Sequence, residues 1–134
     1  MSIGARRTSS AYTIIAKKSL IGTKVINTAR EDLGNIDDLA IDASNGRVAY
    51  AILSFGGWLG MGNKYFAIPW EALNFDPAEK AVVLNVDKAR LKNAPGFDKD
   101  DWPDMSDRGW GSSLYSYYGY TPYWEDEPTS RPSR

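Results

Sequence analysis

Short apolar stretches, each ended by turn residues, occupy the sequence between positions 24 and 86. Within each stretch the apolar side chains either alternate with polar ones or fill both faces, which is the pattern of a β-strand and not of a helix. Five to six short strands without a long helix between them predict an all-β fold, a small closed β-barrel. Closure is favoured because it leaves no exposed sheet edge. The predicted strands cover residues 24–27, 35–42, 47–55, 65–69, 74–76 and 81–86.

Residues 47–55 form the strongest predicted strand. They follow a Ser-Asn-Gly turn at 44–46, and an Asn-Gly pair suits the positive φ angles of a tight hairpin. Every position from 48 to 53 is apolar, so both faces of the strand are expected to be buried and the strand to lie inside the sheet. In the preceding strand the apolar residues Ile36, Leu39 and Ile41 change parity once, which predicts a β-bulge.

After position 87 the sequence becomes rich in aromatic residues. Nine of the seventeen aromatic residues lie between Phe97 and Trp124, and each can bury on the order of 150–250 Å². A helix is predicted from Asp107 onward, and Gly119 stands where a left-handed C-cap would lie. Its large apolar residues recur at i, i+4, i+7 and i+8, which predicts one buried stripe. These residues are Trp110, Leu114, Tyr117 and Tyr118.

These patterns predict how the chain is organised. Asp87 can cap a first short helix at 88–92, which Pro95 and Gly96 would end. The terminal segments are poor in apolar periodicity, which is typical of tails. We predict flexible tails at 1–11 and 125–134, a barrel domain at 12–87, and a C-terminal extension with short helices at 88–124.

The residue counts argue against several kinds of catalysis. The sequence has no histidine and no cysteine, so it lacks the usual general base near neutral pH, the commonest metal ligand and any thiol nucleophile. We therefore expect a protein that is not an enzyme, with no catalytic residue, no cofactor and no metal site. No apolar run approaches the roughly 20 residues that a membrane span needs, and no secretory signal is present. A cytoplasmic protein is the expectation.

Two segments resemble ligand-binding motifs but have the wrong spacing. The glycine-rich segment 56–64 has Asn and Lys where a P-loop needs Lys and then Ser or Thr, and a strand is predicted after it instead of a helix. A calcium loop that begins at Asp98 would need Gly and Glu where Pro103 and Gly109 stand. We interpret the first segment as a hairpin loop and the second as a solvated loop. The apolar tip of the hairpin loop is a predicted contact surface, formed by Trp58, Leu59 and Met61.

Charged residues leave further interpretations open. Asp37, Asp38 and Asp42 could supply the paired carboxylates of a hydrolase, although carboxylates beside tight turns commonly accept backbone N–H groups. Residues 1–30 hold six basic and no acidic side chains, whereas residues 97–127 hold eight acidic ones. The two regions either remain solvated or attract each other at short range.

Nucleic acid is disfavoured as a partner. The basic residues lack interleaved aromatic side chains, and the isoelectric point of about 5.4 opposes binding to phosphates through bulk charge. An RNA- or ribosome-associated assembly factor is nevertheless an alternative, and its contacts would come from Arg6, Arg7, Lys17, Lys18 and Lys24.

An ordered set of residues between positions 19 and 87 resembles the PRC-barrel family. The set consists of Leu20-Ile21-Gly22, Lys24-Val25, Asp32-Leu33-Gly34-Asn35-Ile36-Asp37-Asp38, Ile41-Asp42, Asn45-Gly46-Arg47-Val48-Ala49-Tyr50, Leu53-Ser54-Phe55-Gly56-Gly57, Leu59-Gly60, Phe66-Ala67-Ile68-Pro69-Trp70 and Leu73. A second set is similar to an extension found on stand-alone bacterial members of the family. It consists of Leu91-Lys92-Asn93-Ala94-Pro95-Gly96-Phe97, Trp102-Pro103 and Pro122-Tyr123-Trp124-Glu125.

The resemblance implies a small β-barrel that works in assembly. The family takes its name from the cytoplasmic part of the H subunit of the purple-bacterial photosynthetic reaction centre. It also includes the C-terminal domain of a ribosome maturation factor that docks on a ribosomal protein. Because the family has no shared active site, the resemblance carries no catalytic residue over to this chain.

We therefore expect a non-catalytic protein-interaction or scaffold module, with an unidentified protein partner and a homodimer formed through the aromatic extension. One alternative is the RNA- or ribosome-associated factor. The other is a ligand-binding barrel that uses Trp58 and Tyr65, or a carboxylate-dependent hydrolase. The predicted partner-binding residues are Trp58, Leu59, Met61, Trp110, Tyr117, Tyr118, Tyr120, Tyr123 and Trp124.

Overall fold

The structure is a computed structural model of the 134-residue chain, and it describes residues 14–56, 63–76 and 80–126. The predicted tail at 1–11 and the hairpin-loop residues Trp58, Leu59 and Met61 lie outside the described residues. The same holds for most of the predicted tail at 125–134.

Along the described residues, six strands lie between one short N-terminal helix and three C-terminal helices. A four-residue helix, α1, precedes the strands, and a 3-10 helix, Trp70–Ala72, separates the fourth strand from the fifth. The strands are β1 Lys24–Ile26, β2 Asp32–Asp42, β3 Arg47–Gly56, β4 Asn63–Pro69, β5 Leu73–Asp76 and β6 Ala81–Leu84. The helices are α1 Lys17–Leu20, α2 Lys88–Lys92, α3 Arg108–Tyr118 and α4 Tyr123–Asp126.

All six strands belong to one mixed sheet in the order β4-β3-β2-β1-β6-β5. Neighbouring strands are antiparallel except for β1 and β6, which run parallel with Val25 opposite Val82 and Ile26 opposite Val83. The strand β3 lies between β2 and β4, and its residues from Ala49 to Phe55 are all buried. The prediction that this strand lies inside the sheet is confirmed.

The predicted closed barrel is wrong, because the sheet curls into an open half-barrel. Its edge strands are β4 and β5, and they share no hydrogen-bonded register in the described ranges. The two edges follow each other in the chain through the 3-10 helix, and Pro69, which ends β4, has no backbone N–H to donate. At the other end of β4, Tyr65 and Phe97 exchange two backbone hydrogen bonds of 2.9 Å, so the extension protects part of this edge.

Irregular backbone in β2 follows the predicted change of parity. The register with β3 shifts between Ile36 and Asp38 and again between Ala40 and Ile41, so the predicted bulge is confirmed and a second irregularity accompanies it. The hairpin that follows has a longer loop than the tight turn suggests, and only Gly46 takes a positive φ, of 79°. Asp42 closes this loop, since its Oδ1 accepts hydrogen bonds from the backbone N–H and the hydroxyl of Ser44 at 3.0 and 2.6 Å.

The sheet has an apolar core on each face. The core inside the curl is formed by side chains from all six strands, from Leu20 of α1 and from Leu91 of α2. The core on the other face joins Tyr50 and Ile52 of β3 to Leu114 and Tyr115 of α3. Because β3 contributes to both cores, it needs apolar residues at consecutive positions, which explains the pattern in its sequence.

Candidate docking surface

The aromatic extension packs on its own sheet. Tyr115 is fully buried, and its ring makes edge contacts with Tyr50, Tyr123 and Trp124 at centroid distances of 5.7, 6.4 and 5.4 Å. Its hydroxyl lies 3.0 Å from the carbonyl oxygen of Ala49 and 3.2 Å from Oε1 of Glu71, so one proton is shared between two acceptors. Burial, followed by the carboxylate of Glu71, raises the pKa of Tyr115 far above its ordinary value.

Helix α3 begins and ends where the sequence predicts, but the stripe of residues that it buries differs from the predicted one. Asp107 accepts hydrogen bonds from the N–H groups of Gly109 and Trp110, and Gly119 takes a φ of 84° at the C-cap. The buried residues of the helix are Gly111, Leu114 and Tyr115, whereas Trp110, Tyr117 and Tyr118 are half-buried. The buried face is therefore rotated from the predicted stripe towards Tyr115.

Arg90 fastens the C-terminal turn of α3 to α2. Its guanidinium lies 4.3 Å from the ring centroid of Tyr117 and donates a short hydrogen bond to the carbonyl oxygen of that residue. The hydroxyl of Tyr117 donates in return to the carbonyl oxygen of Arg90 at 2.6 Å. These reciprocal contacts give Tyr117 a structural partner within its own chain.

The predicted partner-binding residues of the extension are therefore in different environments. Tyr123 is buried, Trp124 is half-buried, and only Tyr120 is exposed, at 39%. The expectation of a homodimer was based on aromatic rings without a covering surface, and most of these rings are covered by the sheet. Neither the dimer nor the role of these residues in partner binding is tested by their positions, so both stay predictions.

A different set of rings lies at the edge strand β4, two of them half-buried and one exposed. Tyr65, Phe97 and Trp102 contact one another at centroid distances of 5.9, 6.0 and 5.1 Å, and we call them the ring triad. Trp102 is 43% exposed, although its indole N–H is satisfied by the carbonyl oxygen of Lys99 at 2.8 Å. A hollow of about 370 Å³ next to the triad is lined by Phe97, Trp102 and Trp110, two prolines, and the charged residues Lys64, Asp98 and Asp101.

Carboxylates border the ring triad on two sides. From β2, Asp37 interacts with the hydroxyl of Tyr65, and the charges of Asp38 on the same strand and of Asp100 in the extension also act on this hydroxyl. Burial in the first place, and these carboxylates in addition, raise the pKa of Tyr65 above its ordinary value. Within the described part of the chain, no salt bridge joins Asp98, Asp100 or Asp101 to a cation. We call the triad with these five carboxylates the acidic ring surface.

Sequence reasoning missed this surface for an identifiable reason. Trp102 lies inside an acidic run that was interpreted as a solvated loop, and the exposure of Asp98, Asp100 and Asp101 agrees with that interpretation. The signal that could have found it is the large ring itself, because an indole followed by proline within a charged loop has no local partner to cover it. Tyr65 was considered only as part of a ligand site with Trp58.

A second hollow, of about 380 Å³, lies between the β2–β3 hairpin and the extension, and two of the polar side chains that line it, Asp42 and Tyr123, are hydrogen-bonded to each other. Tyr123 donates a short hydrogen bond to Oδ2 of Asp42, and the guanidinium of Arg108 lies 5.1 Å from the ring centroid of Trp124. Asp42 also accepts from Ser44, so these hydrogen bonds lower its pKa. The carboxylate proposed for acid–base chemistry thus accepts the backbone N–H of Ser44, as the turn interpretation predicts, and it also holds the hairpin to α4 through Tyr123.

The residues described by the structure contain no cluster of three or more acidic side chains arranged to hold a metal ion. Over the same residues, no helix has the length and apolar character needed to cross a membrane.

Comparison with known proteins identifies the domain. The sheet and its inner core define a small curled β-domain, and the model of the PRC-barrel domain matches residues 13–91. The chain belongs to the PRC-barrel family, as its sequence suggests. No curated protein sequence matches the chain.

One solved structure with a similar domain is RimM from Pseudomonas aeruginosa, which its description assigns to 16S ribosomal RNA processing. The two chains are 20% identical with a TM-score of 0.40, and the match covers 61% of this chain and 50% of RimM. The match thus spans half the length of that protein.

The family match divides the acidic ring surface between two parts of the chain. Tyr65, Asp37 and Asp38 lie within the matched residues, whereas Phe97 and Trp102 follow them. The surface is therefore built where the extension meets the PRC-barrel domain.

Proposed function

We propose that the protein is a non-catalytic interaction module whose acidic ring surface docks a basic segment of a partner protein. The observation that carries this proposal is the 43% exposure of Trp102 within a cluster of three rings. Aromatic side chains are enriched at the centres of protein interfaces. When a partner covers a large ring that is partly exposed to water, the burial stabilises the complex.

Charge decides what kind of segment fits this surface. Asp37, Asp98, Asp100 and Asp101 add negative charge around the triad, while Asp38 is partly neutralised by Lys17 at 3.8 Å. A partner with arginine or lysine side chains would pair with these carboxylates, and a guanidinium could also stack on the face of Trp102. Phosphates would be repelled from the same surface, which favours a protein partner over RNA there.

The absence of histidine and cysteine from the whole sequence supports a role without catalysis. The basic residues named for RNA binding are also partly engaged, since Lys17 pairs with Asp38 and Lys24 with Asp32 at 3.8 and 3.3 Å. These exposed pairs are weak, so the RNA-associated alternative stays a prediction.

Capture of partners with a matched pair of variants tests the proposal. We expect a protein retained from an extract of the source cells by the wild-type chain to be lost with Trp102→Ala and kept with Tyr120→Ala. Tyr120 is a suitable control because it is exposed to a similar extent, 39%, but lies outside the triad, so this proposal replaces the sequence-based prediction that Tyr120 binds the partner. Urea unfolding of each variant checks that the fold is retained.

Two results would contradict this function. Equal retention by both variants would mean that the triad does not bind the partner. Loss of all retained protein after ribonuclease treatment would instead support the RNA-associated alternative.

A further inference from the structure

Helix α1, which follows the arginine-bearing start of the sequence, lies close to the acidic ring surface. The Nζ atom of Lys17 in this helix lies 3.8 Å from Oδ1 of Asp38, one of the carboxylates whose charge acts on Tyr65. Only ten residues separate Lys17 from Arg7 in the sequence. Extended chain covers at most about 33–36 Å in ten residues. From Lys17 the path to the triad is short, because Lys17 pairs with Asp38, the charge of Asp38 acts on Tyr65, and the rings of Tyr65 and Trp102 are 6.0 Å apart. The tether is therefore long enough to bring Arg6 and Arg7 onto the triad.

The composition of this segment complements the surface. Residues 1–13 contain Arg6 and Arg7 and no acidic side chain, whereas the surface carries Asp98, Asp100 and Asp101 without a salt-bridge partner in the described residues. Opposite charges attract at physiological salt when they approach within about 8 Å, which docking on the triad would achieve.

Two apolar side chains at the base of the segment lack cover. Ile14 is 96% exposed and Ile15 is 39% exposed, and both immediately follow the arginine-bearing segment. Burying an isoleucine side chain contributes roughly 1.5–3 kcal/mol, so a surface that covers either residue would add to the electrostatic attraction. The exposed Trp102 and the half-buried Phe97 both contact Tyr65 and supply apolar surface within the acidic ring surface.

We propose that residues 1–13 dock on the acidic ring surface of their own chain, so that the segment competes with the basic partner. This inference depends on the proposed function, because it makes the segment an internal substitute for the partner. A segment on a short tether has an effective concentration on the order of millimolar, so a weak interaction is enough to occupy the surface. A partner that binds more tightly would displace it.

A nitroxide label provides the test, because the chain has no cysteine and a single introduced cysteine is labelled alone. We expect a label on Ser9→Cys to broaden the indole N–H resonance of Trp102 in the full-length chain, and the same label on Ser130→Cys to leave it sharp. The resonance is assigned by its disappearance in Trp102→Phe. The broadening should fall in about 1 M salt, where the Debye length is about 3 Å, and in the double variant Arg6→Ser/Arg7→Ser.

Each other outcome overturns the inference. Equal broadening from Ser9 and Ser130, or broadening that survives the arginine replacements, would mean that the arginines do not dock on the triad. Broadening of an isotope-labelled chain by a separate nitroxide-labelled chain would place the segment on a second copy instead. If residues 1–13 do not dock, the wild-type chain still captures the partner and Trp102→Ala still loses it. If the proposed function is wrong, Trp102→Ala and Tyr120→Ala capture the same amount of protein.

Discussion

Two neighbouring tyrosines make a matched pair for measuring the value of a buried hydroxyl group. The rings of Tyr50 and Tyr115 lie 5.7 Å apart, and both side chains are almost completely buried. The hydroxyl of Tyr115 has two acceptors, whereas the hydroxyl of Tyr50 has no hydrogen-bond partner among the described residues. Each hydroxyl can be removed by replacing the tyrosine with phenylalanine, which keeps the ring.

The expected free-energy changes have opposite signs. Tyr115→Phe removes the donor to the carbonyl oxygen of Ala49, and a buried acceptor left unsatisfied costs about 1–3 kcal/mol. Tyr50→Phe removes a buried hydroxyl whose desolvation is not compensated, so it should stabilise the protein by up to about 1 kcal/mol or leave it unchanged. The gain is limited because Gly111 packs closely on this hydroxyl, so that removing the oxygen leaves a small void. A Cβ built on Gly111 would lie only 2.5 Å from the hydroxyl oxygen of Tyr50.

Urea unfolding followed by tryptophan fluorescence and circular dichroism measures the difference. We expect the midpoints of the two variants to lie on opposite sides of the wild-type midpoint, with unchanged slopes. Equal destabilisation by the two substitutions would refute the reasoning, because it would mean that the Tyr50 hydroxyl also has a partner in solution.

Two further predictions concern the backbone of β2 and the hairpin after it. Gly34→Ala should destabilise the protein by more than about 3 kcal/mol in the same assay, because its φ is +104° and the new Cβ would lie 2.1 Å from the carbonyl oxygen of Ser54. The control Gly119→Ala, with φ +84° and no atom within 4 Å, should cost only about 1 kcal/mol, and equal costs would contradict the steric argument. The lowered pKa of Asp42 means that its hydrogen bonds stabilise the fold above the ordinary pKa of 3.8 and that this stabilisation is lost as the pH falls through the folded-state pKa. Tyr123→Phe should therefore weaken the loss of stability below pH 3.8, and an unchanged pH profile would show that this hydrogen bond does not hold the carboxylate ionised.

Local patterns were sufficient to predict most of the elements. The strand at 47–55 was predictable because both of its faces are apolar, and α3 because its large apolar residues recur with a helical period and Gly119, without a Cβ, suits a left-handed C-cap. The short helix α1 was missed because four residues are too few to show a periodicity. The strand β2 begins at Asp32, three residues before the prediction, since Asp32 and Gly34 have low β-propensity.

The features that could not be predicted depend on long-range geometry. The edge strands β4 and β5 are separated by the 3-10 helix, and the backbone of Phe97 pairs with Tyr65 at the edge of β4. Neither feature produces a recognisable residue pattern within the strands. The rotation of α3 that buries Tyr115 depends on the acceptors offered by Ala49 and Glu71, which are more than 40 positions away. The acidic ring surface likewise combines residues from β2, β4 and the extension, so no single segment could reveal it.

The parallel pairing of β1 with β6 has a consequence for how the chain acquires its structure. The hairpins β2–β3 and β3–β4 join neighbouring stretches, whereas Val25 pairs with Val82, which lies 57 positions later in the chain. Closing such a long loop costs entropy that few contacts offset at first, so this seam should form late. During synthesis β1 can therefore pair only with β2 until β6 has been synthesised.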